Sequence, residues 1–416
     1  MTGTPVPPEV LTALAATRPA AACTTALRSA VHARRMLLLK ALLVRVERHP
    51  LPSAVRRRFD RDWALLVGAE HIDGPAVRAV LDYPMTGAWL AEALAAPDSA
   101  LAAHLSHFSG VALAAAVRAG CPAEGTLTVE PGALTLPGLG VLRCPSGRVR
   151  VGGTPGRLRV DGDAGGVVLT PCAGPAAAPG WSPLETLPGS TAVLDDLDPY
   201  GVPARGIGPR ALRAAERSTA ARRTWRRRWR EALALLSVTD RPRAAEITAL
   251  LRALVPLAPS APGTGALIGA TLRAAPGAVL VQLPDDPAEL AESLVHETHH
   301  SKLAALDEVV PLTRPDGTAV HHVGWRTDPR PLPAVLQGAY AHLALTDLWW
   351  RVRRDPAADP RWRDRAEEQF EAHRKDVEEA LNALRESGEL TFAGREFVQN
   401  MSRHHVRLGT PARHVP

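Results

Sequence analysis

The stretch "SLVHETHHSKL" at 293–303 carries His296, Glu297, His299 and His300. The H-E-x-x-H spacing within it is the pattern of a metal-binding helix, and three of the 15 histidines fall within 296–300. On a helix, His296 and His300 lie about 40° apart around the axis and roughly 6 Å apart along it. Two imidazoles so placed can grip one ion, and a rigid helix fixes them before the metal arrives. Glu297 points to the side, where it can reach a metal-bound water or orient a ligand. His299 could pair with His296 at i, i+3, but the H-E-x-x-H frame favours His300. The competing reading is a solvated helix that happens to carry histidines.

A third ligand has to come from elsewhere. Asp307 shares the helical face but sits about 10 Å along the axis from His300, too far to share an ion. A metzincin would need glycine at position 303 and histidine at 306, and both are leucine; no N-E-x-x-S-D follows either. The leading candidate is His342 in "VLQGAYAHLALTDLWWRV", a segment apolar nearly all round and so expected as a buried helix. A buried histidine needs a partner: a metal, or a neighbour such as Asp347. Asp347, Glu308 and the His321–His322 pair stand in reserve as ligands. Between the two histidine segments, "HHVGWRTDPRPLPAV" at 321–335 reads as a turn-rich loop carrying Arg326 and Arg330. A planar guanidinium binds carboxylate bidentately, so these arginines are candidate anchors for a carboxylate ligand, or else ordinary surface residues.

Around these residues the chain reads as α+β. Residues 1–120 form a mainly helical N-terminal part. Residues 121–208 are β-rich, since "GTLTVEPGALTLPGLGVLRCPSGRVRVGGTPGRLRVDGDAGGVVLTP" alternates short apolar runs with Gly and Pro, as short antiparallel strands do. "AGPAAAPG" at 173–180 reads as a loop. Helix returns over 209–256, within a helical segment at 209–260, and "PLAPSAPGTG" at 256–265 looks like a boundary. The last region, 261–416, is the metal-binding one. In it two expected strands, "ALIGATLRA" and "GAVLVQL", form a short sheet ahead of the motif helix. Asp286 suits the N-cap, Pro287 the first helical position, and Glu289 completes a capping box.

Bulk composition narrows the partners. A formal charge of +6 on 416 residues fits an acidic partner and demands none. The run "ARRTWRRRWR" at 221–230 interleaves Trp225 and Trp229 with arginine. Their i, i+4 spacing marks the buried face of a solvated helix more simply than a nucleic-acid surface, so no nucleic-acid partner is expected. Of 49 basic residues only Lys40, Lys302 and Lys375 are lysine. Cys23, Cys121, Cys144 and Cys172 are far apart with no C-x-x-C, against a cysteine zinc site or redox pair. The first residues lack the basic and apolar parts of a signal peptide, and no run approaches 18 apolar residues. A cytoplasmic protein without a membrane partner is expected.

Several of these segments resemble one family. "LVHETHHSKLAALDEVVPL", "WRTDPRPLPAVLQGAYAHLALTDLWWR", "LTFAGREFV" and, upstream, "VLDDLDPYG" are similar to the HEXXH-motif peptide-modification proteins, which include α-ketoglutarate-dependent peptide β-hydroxylases. The likeness covers roughly 190–400. Gly201 stands where the family usually has arginine, and Gln337 where it often has histidine. The resemblance implies His296 and His300 as metal ligands within the motif containing Glu297, with His342 in a matching segment. It also implies Fe(II) and α-ketoglutarate (2-oxoglutarate) as cofactors, O2 as co-substrate and a ribosomally made precursor peptide, leader plus core, as substrate. Association with other peptide-maturation enzymes is a further expectation. Three protein ligands on an octahedral ion leave room for a chelating α-ketoglutarate and O2, and Arg326 or Arg330 would hold its distal carboxylate. The reaction would be β-hydroxylation of a residue such as Asp. The alternatives are a zinc metallopeptidase with Glu297 as general base, and a non-catalytic peptide-binding protein with a vestigial metal site.

Overall fold

The computed structural model describes residues 6–172, 176–260 and 267–409. It is a mixed α+β structure, mainly helical, with 55% helix and 17% strand. Helices come first: α1 (Pro8–Ala15), α2 (Ala21–Arg48), α3 (Ser53–Ile72), α4 (Gly74–Leu81), α5 (Pro84–Ala95) and α6 (Asp98–Ala119). By length and composition α6 could cross a membrane, but 72% of that stretch is buried inside the fold. Its backbone lies directly on a strand, because a Cβ at Gly110 would meet the Thr135 carbonyl oxygen at 1.9 Å.

That strand belongs to the β-rich region: β1 (Gly125–Thr128), β2 (Gly132–Leu136), β3 (Gly140–Cys144), β4 (Arg148–Thr154), β5 (Arg157–Gly162), β6 (Gly165–Leu169) and β7 (Trp181–Pro183). Alternation is the cause: Val149, Val151, Leu158 and Val160 point inward while Arg148, Arg150, Arg157 and Arg159 point out. The strands pair antiparallel in two sheets, β1-β4-β5-β6 and β2-β3-β7, which share one apolar core with α3 and α6. Of the expected loop at 173–180, residues 173–175 lie outside the described residues.

The remaining elements build the frame of the histidine helix. They are β8 (Glu185–Thr186), β9 (Val193–Leu194), α7 (Thr219–Thr239), α8 (Arg241–Leu250), β10 (Ala253–Leu257), β11 (Gly269–Ala270), β12 (Ala278–Gln282), α9 (Pro287–Asp307), β13 (Val320–Val323), β14 (Arg326–Pro331), α10 (Leu332–Val352), α11 (Pro360–Glu386) and α12 (Phe392–Gly409). One sheet runs β11-β12-β10-β9-β8, with β12, β10 and β9 parallel. Every residue of β10 and β12 is buried, as expected of parallel strands covered on both faces. Leu290 and Leu294 of α9 share a core with Val279 and Val281, while Met85 and Ala88 of α5 pack with Val255 and Leu280.

Several local expectations change. Helix does not fill 209–256: it starts at Thr219, and 253–257 is strand β10, because periodicity cannot tell a short buried apolar run in a strand from one in a helix. β10 pairs along its whole length with β12, on the far side of the proline-rich 256–265 stretch; residues 261–266 lie outside the described residues. Among its described residues, "ALIGATLRA" contributes only the two of β11. The turn-rich 321–335 stretch is the β13–β14 hairpin running into α10. The helical N-terminal part also divides. Leu11, Leu14 and Leu27 pack with the C-terminal helices, and the Tyr340 hydroxyl donates to the Leu14 carbonyl at 2.8 Å.

Candidate metal centre

Helix α9 leaves β12 through a sharp start. The Asp286 carboxylate accepts from the Ala288 amide at 2.8 Å, and Pro287 occupies the first helical position. Three turns on, His296 and His300 face a cavity of about 530 Å³ with their rings edge to face. Their Nε2 atoms lie 3.0 Å apart. Two nitrogens bound side by side to one ion at about 2.1 Å are themselves roughly 3 Å apart, so this separation suits a shared ion as well as an imidazole–imidazole hydrogen bond.

The neighbours set the protonation. His300 Nδ1 lies 3.2 Å from the Gln337 Oε1 of α10. That oxygen only accepts, so Nδ1 carries the proton and Nε2 keeps the lone pair a metal requires. Burial holds the His296 pKa well below the usual histidine value, helped by the nearby rings of His300, His342 and His373. Burial also lowers that of His300, partly offset by the Gln337 bond. Both imidazoles are therefore neutral at neutral pH. Gln337→Ala is expected to weaken Co(II) binding about 10–100-fold, as loss of an orienting partner does, in a titration read by visible absorption. Unchanged affinity would mean that packing alone orients His300.

A third imidazole, His342, lines the same cavity and is paired with a ring from α11. The His342 ring centroid is 5.1 Å from that of His296, and His342 Nδ1 lies 3.0 Å from Nδ1 of His373 on α11. Trp325 stacks on His342 at 4.4 Å, and Gly338 makes room, since a Cβ there would come within 2.7 Å of the indole. Burial pushes the His342 pKa down to about 3 and that of His373 to about 4. His373 carries no sequence signal: it is a single histidine in a charged amphipathic helix, brought here only by the packing of α11 on α10. Among the described residues, no three His, Cys, Asp or Glu side chains form a group that could hold a metal. His342 thus shares the cavity without making a three-nitrogen set with His296 and His300.

Glu297 also lines the cavity, with one oxygen hydrogen-bonded and the other beside a glycine. The Thr271 hydroxyl donates to Oε2 at 2.8 Å, and a Cβ at Gly269 of β11 would lie 2.8 Å from Oε1. Burial pushes the Glu297 pKa up to about 7, against the lowering effect of the Thr271 bond. Arg326 and Arg330 lie on the cavity rim on β14, both paired with Asp328, at 3.1 and 2.9 Å.

Of the reserve residues, Glu308 and Asp347 are held in ion pairs, while His321 Nε2 is buried without a hydrogen-bond partner among the described residues; Asp307 itself lines the cavity. Asp307 and Glu308 pair with Arg273, and Glu308 also with Arg34. His321 and His322 lie on β13. Asp347 faces away from the cavity, 2.6 Å from Arg243 Nη2. His299 belongs to that same buried network: its Nδ1 bonds the Val295 carbonyl at 2.7 Å, and Arg243 Nη1 lies 3.2 Å from its Nε2. Lys302 pairs there with Glu246 at 2.8 Å. One face of α9 therefore carries the imidazole pair and the other locks the helix to α8 and α10. Compared with known proteins, the chain matches no family model and no curated protein.

Proposed function

We propose that the protein is an Fe(II)- and α-ketoglutarate-dependent peptide hydroxylase. The observation that carries this reading is the pair of neutral imidazoles, His296 and His300, with Nε2 atoms 3.0 Å apart. Their cavity also has guanidinium groups on its rim. His296 and His300 would hold the ion, and His342, whose ring lines the same cavity 5.1 Å from that of His296, is the residue that would have to turn inward for a third position. Iron bound there would supply O2 activation, with overall conversion of α-ketoglutarate, O2 and a C–H bond to succinate, CO2 and a C–OH group. The protein's own part is positional. Gln337 keeps the His300 lone pair directed inward, Trp325 closes one wall over His342, and Arg326 or Arg330 would exchange Asp328 for the distal carboxylate. β11 is an edge strand lining the cavity, and such an edge can pair with an extended peptide. The resemblance in 190–400 supports the same reading and a precursor peptide as substrate.

The test is anaerobic addition of Fe(II), then α-ketoglutarate. A visible charge-transfer band from the chelated ion, followed in air by succinate release, is expected. Absence of the band in the wild type, or an undiminished band in His296→Ala, would sink the proposal.

One observation favours the zinc metallopeptidase reading. A carboxyl whose pKa is raised to about 7 is poised as a general base at neutral pH. The Thr271 bond instead ties one carboxylate oxygen to the segment just after β11, which suits an orienting role. Glu297→Gln is therefore expected to retain substantial α-ketoglutarate turnover. Complete loss of turnover, with metal still bound and peptide cleavage in the wild type, would establish the peptidase.

A further inference from the structure

The metal cavity is one of several hollows around the last turns of α9. A second, of about 270 Å³, lies between α2, α9 and the β11–β12 connection, and Arg273 forms part of the wall of both. A third, of about 400 Å³, shares Val31, Pro276 and Ala305 with the second. The helix period explains the order. His300, Ala304 and Asp307 face the metal cavity, Ala305 and Glu308 the second hollow, and Ser301 and Lys302 the third.

The second and third hollows are lined by Arg28, Arg34, Arg35, Arg78, Arg252 and Arg273. Asp82 and Glu308 are the carboxylates in their walls, and Lys302 is already neutralised by Glu246. Glu308 serves both Arg34 and Arg273, Asp307 also pairs with Arg273 at 3.0 Å, and Asp82 serves Arg78 and lies 2.9 Å from His32. Arg252 makes no ion pair among the described residues, and its guanidinium is disfavoured by burial and then by Arg28. Arg35 is sealed beneath α5 with Nε and Nη2 unpartnered; burial lowers its pKa only to about 10, so it stays charged. Arg35 is too deeply buried to meet a ligand, but Arg28 and Arg252 line the hollow without an ion-pair partner among the described residues, and that excess positive charge favours an anionic partner.

We infer that this arginine-lined course binds an extended acidic peptide segment, continuous with the residue held in the metal cavity. The inference rests on the peptide reading above and adds the chemistry of the flanking sequence. An extended chain paired with β11 would run past Thr271 to Arg273 and so into the second hollow. Between the arginines the walls are aliphatic, with Leu27, Val31, Leu38 and Pro276, and none of the lining residues is Trp, Tyr or Phe. A strand that alternates acidic and apolar side chains fits such walls, and each guanidinium can fork onto a carboxylate. Single-stranded nucleic acid would want aromatic stacking platforms, which these hollows lack.

The experiment uses the full chain and fluorescence anisotropy with a labelled peptide alternating glutamate and leucine. Controls are a lysine–leucine counterpart and a single-stranded oligoribonucleotide. Saturable binding of the acidic peptide alone is expected. The double variant Arg28→Glu/Arg34→Glu, both at exposed positions, should weaken it at least about tenfold, or 1.4 kcal/mol. Arg227→Glu on the exposed face of α7 should leave it unchanged. Thermal melts and Co(II) titration of each variant report separately on the fold and on the histidine pair. No binding of the acidic peptide, equal weakening by Arg227→Glu, or tighter binding of the RNA would overturn the inference. The first of these, with Co(II) still bound, would leave the metal reading standing. Arg28- and Arg34-dependent peptide binding without any Co(II) binding would uphold the acidic course and remove the metal reading.

Discussion

His296→Ala and His300→Ala are each expected to abolish stoichiometric Co(II) binding while leaving the thermal unfolding of the metal-free protein near that of the wild type. The affinity loss should exceed the roughly 10–100-fold expected for an orienting partner such as Gln337, because a ligand atom itself is removed. Stability should change little because both rings line an open cavity and face each other, not a packed core. His299→Ala is the internal control. Its ring lies on the opposite face of α9, against Arg243 and the Val295 carbonyl. It should cost stability and spare the metal. If Co(II) remained bound at full occupancy in His296→Ala, the motif would be a coincidence of spacing.

Arg243→Met is expected to give the largest loss of stability of any single change considered, about 3–5 kcal/mol, the usual cost of removing one partner from a buried charge cluster. Arg243 is fully buried on α8, 3.0 Å from Asp240 and 2.6 Å from Asp347. Burial alone would lower its pKa, but Asp347 and then Asp240 more than offset this and raise it. Methionine would fill much of the volume yet leave two buried carboxylates without their cation. Arg351, 3.3 Å from Asp240 and 3.4 Å from Asp347, reaches them from a more exposed position and offers only partial compensation. Urea unfolding gives the measurement. A midpoint within error of the wild type would mean that the network is dispensable and that apolar packing alone holds α9 against α8 and α10.

Local chemistry decided what the sequence could say by itself. Asp286 and Pro287 mark the start of α9 because capping involves only adjacent residues. The i, i+4 spacing puts His296 and His300 on one face because the helix period does so for any sequence. The alternation in "RVRVGG" and "RLRVDG" announces the strands of the β-rich region for the same reason, and the apolar run around His342 announces a buried helix.

What surrounds the imidazole pair depends on which distant elements pack against α9, and no local rule reaches that far. Gln337 supplies the proton acceptor that fixes the His300 tautomer only because α10 crosses α9. His373 lies 31 positions from its partner His342 and reaches it only because α11 folds back on α10. The sorting of His299 and Lys302 to the face opposite His296 is implied by helix geometry, but their partners Arg243 and Glu246 come from α8, more than 50 residues upstream. The course of arginines around α9 gathers residues from α2, α4, β11–β12 and the end of α8, each unremarkable in its own segment. Charge acts through space, and only the tertiary structure puts these charges side by side.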